Sequence, residues 1–366
     1  MIPPELAHAP LHRAALAQME APLDLSGHLV IPGLINAHDH LEFNLFPALG
    51  RRLYPNAGAW ARDIYRPAAS PLREHLRVPK DVRLWWGALK NLLSGVTTVC
   101  HHNPYQAAVF NGAFPVRVVR RFSWAHSLEF EPRLAQRFRR APAAHPFIVH
   151  CAEGVDPAAR AELHQLDALG ALDARTVIVH GVGIANSGVE LMARRGASLV
   201  WCPTSNLTML GRTLSRAILR SAIPIALATD SALSAPVDLL DEFAVARRYL
   251  PAARLYAMVS SDAARILHLT DAQQKGDFVA FRTEARSAPD ALSEGEVALV
   301  AVRGKIRLIS PHLARQLPAT ERRRFQPLHL EGRPPVLVDA DVRALRRAAT
   351  KHLGRDLYLA GKRILP

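Results

Sequence analysis

The sequence predicts an α/β protein in which a (β/α)₈ barrel is followed by a small β-rich domain. Short β-branched runs alternate with helical patterns at nearly constant spacing, which favours parallel βα units over a β-sandwich or a helix bundle. Several predicted strands end in a histidine or an aspartate, and a (β/α)₈ barrel presents its active site at such strand ends. After about residue 270 the pattern changes to short alternating strands, which indicates the second unit.

The predicted barrel elements follow one another in a regular order. Apolar residues at helical spacing begin behind Pro79 and predict a helix over 82–93, which Gly95 ends. The other predicted barrel elements are strands over 96–100, 116–124, 147–150, 176–180, 197–201 and 223–228 and helices over 158–169 and 189–195. Only one strand is clear between 100 and 147, where a regular barrel places two βα units. We therefore expect a barrel compressed around its fourth strand.

The second unit is predicted to be a small composite domain. Its strands are expected over 277–281, 296–302 and 305–309, with Gly304 at a tight turn, and a helix over 341–352 precedes a last strand pair near 357–365. We expect the barrel to occupy 28–270 and the composite domain 1–27 together with 271–366.

The composition is that of an ordinary globular protein and excludes several classes. With 49% hydrophobic and 21% charged residues, the chain is neither disordered nor collagen-like. No apolar run is long enough for a membrane span, and nothing in the start predicts a signal peptide, so a cytoplasmic location is expected. The net charge of +14 comes mainly from arginines scattered along the chain without a nucleic-acid-binding motif, so no nucleic-acid partner is expected.

Chemistry-bearing residues mark the ends of four predicted strands. His38 and His40 follow the apolar strand over 29–35, and the alternation of a strand sends residues i and i+2 to the same side. His150, His180 and Asp230 end three further strands. Imidazoles with one carboxylate are the ligand set of a catalytic divalent cation that keeps a position open for water. The four strand ends together therefore predict a metal site.

Six segments of the chain resemble the amidohydrolase superfamily of metal-dependent hydrolases, in its cytosine-deaminase and chlorotriazine-hydrolase branch. They are LDLSG at 23–27, IPGLINAHDH at 31–40, GVTTV at 95–99, HCAEG at 150–154, CPTSN at 202–206 and TDS at 229–231. Their order along residues 23 to 231 makes the match specific. The resemblance implies a TIM-like barrel and an aminohydrolase that uses metal-activated water.

The resemblance also implies roles for individual residues. His38, His40, His150 and Asp230 would bind the metal, and His180 would hydrogen-bond the substrate or the attacking water. Glu153 has the position of the proton shuttle, and a carboxylate three residues beyond a ligand histidine is well placed for that work. Glu153, His180 and Asp230 are thus the expected catalytic residues.

The number of metal ions follows from lysine usage. Two-metal members of this superfamily usually carry a bridging carbamylated lysine, and this chain has no lysine between Lys90 and Lys275. A bridge by Cys or Glu stays open as an alternative. We expect one ion, Zn²⁺ or Fe²⁺.

The N-terminal segment departs from the superfamily pattern. It usually has two short strands before the DLSG segment, whereas residues 1–22 contain four prolines and predict none. Either the composite domain is incomplete or the true start lies upstream.

Substrate contacts are expected near the strand ends and in a long loop. His101 and His126 follow the second and third predicted strands, and Asn206 lies in the CPTSN segment. The loop over 43–66 carries Arg52 and Arg62 and is expected to cover the pocket. An arginine there would favour a substrate with a carboxylate or a phosphate.

The expected activity is hydrolysis of a C–N bond, with deamination of an aminated heterocycle or an amidine first. Hydrolysis of a cyclic amide, or of a halogenated or alkylamino heterocycle, would use the same residues. A catalytically silent scaffold is the alternative outside the enzymes. The expected partners are a small-molecule substrate and a second copy of the chain in a homodimer.

Overall fold

The computed structural model describes residues 23–50 and 53–366. Residues 1–22, where the sequence predicts no strands, and Arg52 therefore lie outside the described residues. No helix in the described ranges combines the length and the apolar character needed to cross a membrane.

The first unit is built on parallel strands that form two arcs. One arc has the order β2-β3-β4 and the other the order β5-β6-β7-β8-β9. Their bounds are β2 Leu34–Asp39, β3 Val96–His101, β4 Arg117–Val118, β5 Ser123–Ser127, β6 Phe147–Cys151, β7 Thr176–His180, β8 Ser198–Trp201 and β9 Ile225–Leu227. The segments after β2 and β9 meet where Asp230 N donates to His38 O at 3.3 Å. All of these strands therefore present their carboxyl ends on one face.

The predicted compression lies between β4 and β5. β4 pairs in parallel with β3, and β5 pairs in parallel with β6. Only 119–122 separate β4 from β5, and this segment contains no helix. The single strand expected over 116–124 is thus two short strands. The first, β4, belongs to the arc of β2 and β3, and the second, β5, belongs to the arc of β6 to β9.

Helices surround the barrel and begin where the sequence provides caps. Pro157 occupies the first turn of its helix, and the side chain of Asp156 accepts a hydrogen bond from Ala159 N. The helices of the barrel unit are α1 Ala57–Ile64, α2 Leu72–Arg77, α3 Lys80–Leu93, α4 Leu134–Arg140, α5 Pro157–Ala168, α6 Asn186–Arg195, α7 Pro203–Leu210, α8 Arg216–Arg220, α9 Leu239–Ala246, α10 Ala252–Met258, α11 Ser261–Ile266 and α12 Asp271–Gln274. The helices predicted behind Pro79 and in the later βα units agree closely with α3, α5 and α6.

The second unit is a six-stranded antiparallel sheet of order β1-β10-β11-β12-β14-β13. Its strands are β1 His28–Pro32, β10 Phe278–Arg282, β11 Glu296–Val302, β12 Lys305–Ile309, β13 Gln326–Leu328 and β14 Val336–Val338. The remaining elements are α13 Ala288–Glu294, α14 Pro311–Ala314, α15 Ala319–Arg322, α16 Val342–Leu353, β15 Tyr358–Leu359 and β16 Lys362–Arg363.

The strand expected over 29–35 is divided between the two units at Gly33. β1 pairs with β10 of the small sheet, whereas β2 pairs with β3 of the barrel. A Cβ on Gly33 would lie 2.2 Å from the side chain of Thr97, so only glycine permits this close passage. The sheets therefore change at Gly33, later in the chain than the predicted boundary at 28.

The interior of the barrel is lined by small and branched apolar side chains from alternate strand positions. Ile35, Ile148 and Val179 are among those that are buried there. Cys100, Cys151 and Cys202 are free thiols, and all three are buried. The polar strand-end residues therefore lie above a dry core.

Candidate metal centre and active site

Four strand-end residues meet at the carboxyl face of the barrel. His38 Nε2 and His40 Nε2 each lie 3.5 Å from Asp230 Oδ1. His150 Nε2 lies 3.3 Å from His38 Nε2. The histidines and the aspartate are all buried. The expected ligands are thus brought together from β2, β6 and the end of β9.

The spacing of these atoms fits a metal ion. Two ligand atoms of a tetrahedral zinc ion are about 3.4 Å apart when each lies at about 2.1 Å from the metal. Two clusters of mutually close donor atoms exist in the described chain, one of His38, His40, His102 and His150 and one of His38, His150, His180 and Asp230. They share His38 and His150, which places these two histidines at the centre of the site.

The charge states of the donors suit a cation. Burial lowers the pKa of His38 to about 4, so its imidazole is neutral and offers a lone pair. Burial also lowers the pKa of His150 well below its usual range. Burial raises the pKa of Asp230, but its neighbours His38, His180 and His40 outweigh this and hold it well below the usual range. Neutral imidazoles and one carboxylate therefore meet at one point.

Hydrogen bonds on the side away from the cluster fix which atom of His150 and which atom of Asp230 faces the candidate metal site. His150 Nδ1 donates to the carbonyl of His126 at 2.8 Å, which leaves Nε2 unprotonated. Asp230 Oδ2 accepts from Ser205 Oγ at 2.7 Å and from Ser234 Oγ at 2.8 Å, which leaves Oδ1 for the cluster. These partners set the orientation of the donors before any ion binds.

The backbone is strained at three of the strand ends that carry the site. Ala152, His180 and Asp230 have φ angles of 54°, 75° and 72°, in the left-handed region that non-glycine residues rarely adopt. Such conformations cost of order 1–3 kcal/mol each and persist where surrounding structure holds them. Here they turn His180 and Asp230 toward the cluster.

Glu153 and His180 form a pair beside the cluster. Glu153 Oε1 lies 3.3 Å from His180 Nε2, and His180 Nδ1 lies 2.8 Å from Asn206 Oδ1. Burial, reinforced by Asp230 and Glu162, raises the pKa of Glu153 well above its usual range. Burial lowers the pKa of His180. Glu153 and Asn206 therefore hold the two nitrogen atoms of the His180 ring, and the raised pKa of Glu153 suits a group that both accepts and releases a proton.

The expected substrate contacts occupy different places. The ring of His126 lies 4.9 Å from that of His150, and both line a cavity of about 70 Å³ with Glu153. His101 is turned away from the cluster, with Nδ1 accepting from Leu41 N at 3.2 Å and Nε2 3.2 Å from Glu42 Oε2.

Two of the remaining expected contacts, Asn206 and Arg62, lie in the described residues. Asn206 Oδ1 forms a hydrogen bond with His180 Nδ1. The loop expected over 43–66 contains α1, whose Ala57 N donates to Glu153 O at 2.9 Å. Arg62 on this helix is largely exposed and forms an ion pair with Glu129. The segment therefore packs against Glu153 with its backbone.

His102 belongs to the cluster, although the sequence did not single it out as a site residue. Its ring stacks on His150 at 4.6 Å and lies 4.9 Å from that of His38. Its Nδ1 is buried without a partner. The signal in the sequence was the pair of histidines at the end of β3, of which alternation allows only one to face inward. The structure turns His102, not His101, toward the cluster.

A buried lysine connects the two chain segments that carry the metal-site residues. Lys90 on α3 is 2% exposed, and its Nζ lies 2.9 Å from Asp39 Oδ2 and 3.0 Å from Thr229 Oγ1. Asp39 stands between His38 and His40, and Thr229 precedes Asp230. Asn91 Nδ2 also donates to Asp39 Oδ2, at 2.7 Å. Lys90 therefore links the segment that carries His38 and His40 to the segment that carries Asp230.

Lys90→Met is expected to destabilise the fold by about 3–5 kcal/mol, because it leaves the buried charge of Asp39 without its cation. The double variant Lys90→Met/Asp39→Asn should lose much less, since both charges are gone. Lys351→Met on exposed α16 serves as the control. Denaturant unfolding measures all three, and equal losses in the single and double variants would contradict the role of the pair.

Comparison with known proteins agrees with this geometry. The amidohydrolase family profile matches residues 144–307. The chain is 25% identical over 265 residues to a 5-methylthioadenosine/S-adenosylhomocysteine deaminase of Syntrophobacter fumaroxidans, covering 58% of each chain. A deaminase of the same description from Pyrococcus furiosus is 25% identical over 283 residues, covering 61% of this chain and 64% of its own. The resemblance to the amidohydrolase superfamily is confirmed.

Two solved structures share the fold of this chain. A zinc-bound adenosine deaminase from Xanthomonas campestris superimposes with a TM-score of 0.66 at 19% identity, over 90% of this chain and 86% of that one. An atrazine chlorohydrolase from Arthrobacter aurescens, complexed with zinc, gives 0.65 at 16% identity, over 89% and 88%. The chain spans less than two thirds of the length of these two curated deaminases, 58% of the Syntrophobacter protein and 64% of the Pyrococcus protein.

Proposed function

We propose that this protein is a metal-dependent hydrolase that deaminates an aminated heterocycle or an amidine. The observation that carries the proposal is the convergence of His38, His150 and Asp230 on one point with Glu153 and His180 beside it. The 5-methylthioadenosine/S-adenosylhomocysteine deaminases among the relatives support the same reaction class.

We propose one divalent ion, Zn²⁺ or Fe²⁺, held by His38, His40, His150 and Asp230. Three imidazoles and one carboxylate make a donor set that suits a divalent transition-metal ion. When bound, the ion would supply Lewis acidity and lower the pKa of a water molecule. The zinc in the two structural relatives supports a divalent ion, and the lysine gap supports one ion per chain.

Glu153 and His180 then have different roles in proton transfer and substrate binding. Glu153 accepts a proton from the attacking water and delivers it to the departing nitrogen, so that water adds to carbon, the C–N bond breaks and ammonia leaves. The Nε2 atom of His180 lies 3.3 Å from Glu153 Oε1, and His180 contacts the substrate beside the carbon under attack. Asn206 keeps the His180 ring in place. His126 lines the same small cavity as Glu153 and is therefore placed to contact the substrate.

An ammonia-release screen tests this reaction. The substrates are 5-methylthioadenosine, S-adenosylhomocysteine, adenosine, aminated triazines and pyrimidines, and acyclic amidines. Glu153→Gln protein prepared in parallel controls for a contaminating deaminase. We expect ammonia from at least one of these classes with the native protein and a large loss with the variant.

Two outcomes of the screen contradict deamination. No ammonia from any class, together with hydrolysis of a cyclic amide or a chlorinated triazine added to the panel and followed by product chromatography, would assign the runner-up activity to the same residues. Metal-loaded protein without turnover on any class would favour a silent scaffold. A negatively charged substrate contacted by Arg52 or Arg62, a homodimer and a cytoplasmic location stay predictions from the sequence.

A further inference from the structure

A second cavity opens at the amino ends of the barrel strands, opposite the metal centre. It has a volume of about 540 Å³. Arg117, which begins β4, and His145, which shortly precedes β6, line it, whereas His150 and Glu153 lie at the other end of β6. Arg120 and Arg121 belong to the segment that connects the two arcs. The compressed part of the barrel therefore forms one wall of this cavity.

The lining is strongly cationic. Four guanidinium groups line the cavity, those of Arg117, Arg120, Arg121 and Arg303, and no carboxylate does so in the described part of the chain. Burial lowers the pKa of Arg303, and the nearby Arg117 adds to this effect. An anion in the cavity would relieve this repulsion between like charges.

Two of the arginines are fixed by a single aspartate outside the lining. Asp277 Oδ2 accepts from Arg117 Nε at 2.5 Å, and Asp277 Oδ1 accepts from Arg303 N at 2.7 Å. The carbonyl of Lys275 accepts from a second nitrogen of Arg117 at 3.0 Å. Arg303 has a φ of 57° in the turn between β11 and β12. Asp277 therefore pairs with the guanidinium of Arg117 and anchors the backbone of Arg303, and its single negative charge stands against the four arginines of the lining.

Two buried polar atoms that belong to lining residues have no partner. They are Thr98 Oγ1 and His145 Nδ1. Thr98 is 3% exposed, and a buried polar group without a hydrogen-bond partner destabilises the protein. A ligand with several oxygen atoms satisfies such groups together with the guanidinium groups.

We propose that this cavity binds a small molecule that carries a phosphate group. Four cations and a hydroxyl match the charge and the several acceptor oxygens of a phosphate better than those of a single carboxylate. The volume lies in the range of small-molecule sites and exceeds that of a free anion. Val118, Leu267 and Leu269 supply an apolar wall for the rest of the ligand. The proposal is independent of the reaction at the metal centre.

Calorimetric titration of the metal-loaded protein with inorganic pyrophosphate tests the site, with sodium chloride at equal ionic strength as the reference. We expect Arg121→Gln/Arg303→Gln to weaken pyrophosphate binding at least tenfold and Thr98→Val to weaken it severalfold. The matched control is Arg343→Gln/Arg347→Gln, in a second arginine-lined cavity beside α16. The control should bind as the native protein does, and metal content and unfolding midpoint should be unchanged in every variant.

Four results would overturn the proposal. One is the absence of pyrophosphate binding at millimolar concentration, and another is equal weakening in both double variants, which would mean nonspecific attraction to arginine. The third is tight binding of a single-stranded oligonucleotide that is lost in the Arg121→Gln/Arg303→Gln variant, because this would assign the surface to nucleic acid. Unchanged binding in the cavity variants also counts against it.

Discussion

Glu153→Gln is expected to keep the metal and the fold while it lowers turnover by roughly 10²-fold or more, the usual effect of losing a general acid and base. Glutamine preserves the shape of the side chain, so contacts of the buried segment with α1 remain. It cannot accept a proton from water or deliver one to a departing nitrogen. The effect should therefore fall on kcat.

Steady-state kinetics on the substrate found by ammonia release, together with metal analysis of the same preparations, measure this effect. Glu190→Gln, on the exposed face of α6, is the matched control and should behave as the native protein. Near-native turnover of Glu153→Gln would remove Glu153 from the mechanism. Loss of the metal in this variant would make the carboxylate a ligand instead.

His38→Ala is expected to abolish activity and to weaken metal binding by more than about 100-fold, since even loss of an outer partner of a ligand costs 10–100-fold. His38 is shared by both groups of mutually close donor atoms, so its removal leaves neither group complete. Competition with a chromophoric chelator measures the affinity without any substrate.

The control for this substitution is His164→Ala on exposed α5, which removes an imidazole away from the cluster. Native metal affinity in His38→Ala would contradict the assignment of this histidine. Loss of affinity in both variants would point to general destabilisation.

The sequence predicts the site well where chemistry and local periodicity coincide. His38, His150, His180 and Asp230 each follow a short β-branched run, and parallel strands in a barrel bring their carboxyl ends together. No long-range contact has to be known for that step. Local signals such as Pro79 and Gly95 mark the ends of a helix that the structure places within a few residues of the predicted bounds.

The features that the sequence does not predict are those that depend on tertiary contacts. In the sequence, Lys90 is one polar residue on an amphipathic helix. Only the approach of α3 to β2 in the structure shows that Asp39 is its partner. The alternation rule stops applying where β3 ends at His101, so it does not decide which of the two adjacent histidines turns inward. Gly33 divides one apolar run between two sheets because Thr97 leaves no space for a side chain.

Elemental analysis of protein purified without added metal tests the central claim most directly. The geometry of His38, His40, His150 and Asp230, with no lysine between Lys90 and Lys275 to bridge a second ion, predicts close to one transition-metal ion per chain. The ion should be zinc or iron, and its removal by a chelator should abolish ammonia release, which re-addition restores. Two tightly bound ions per chain, or full activity in metal-free protein, would contradict the account.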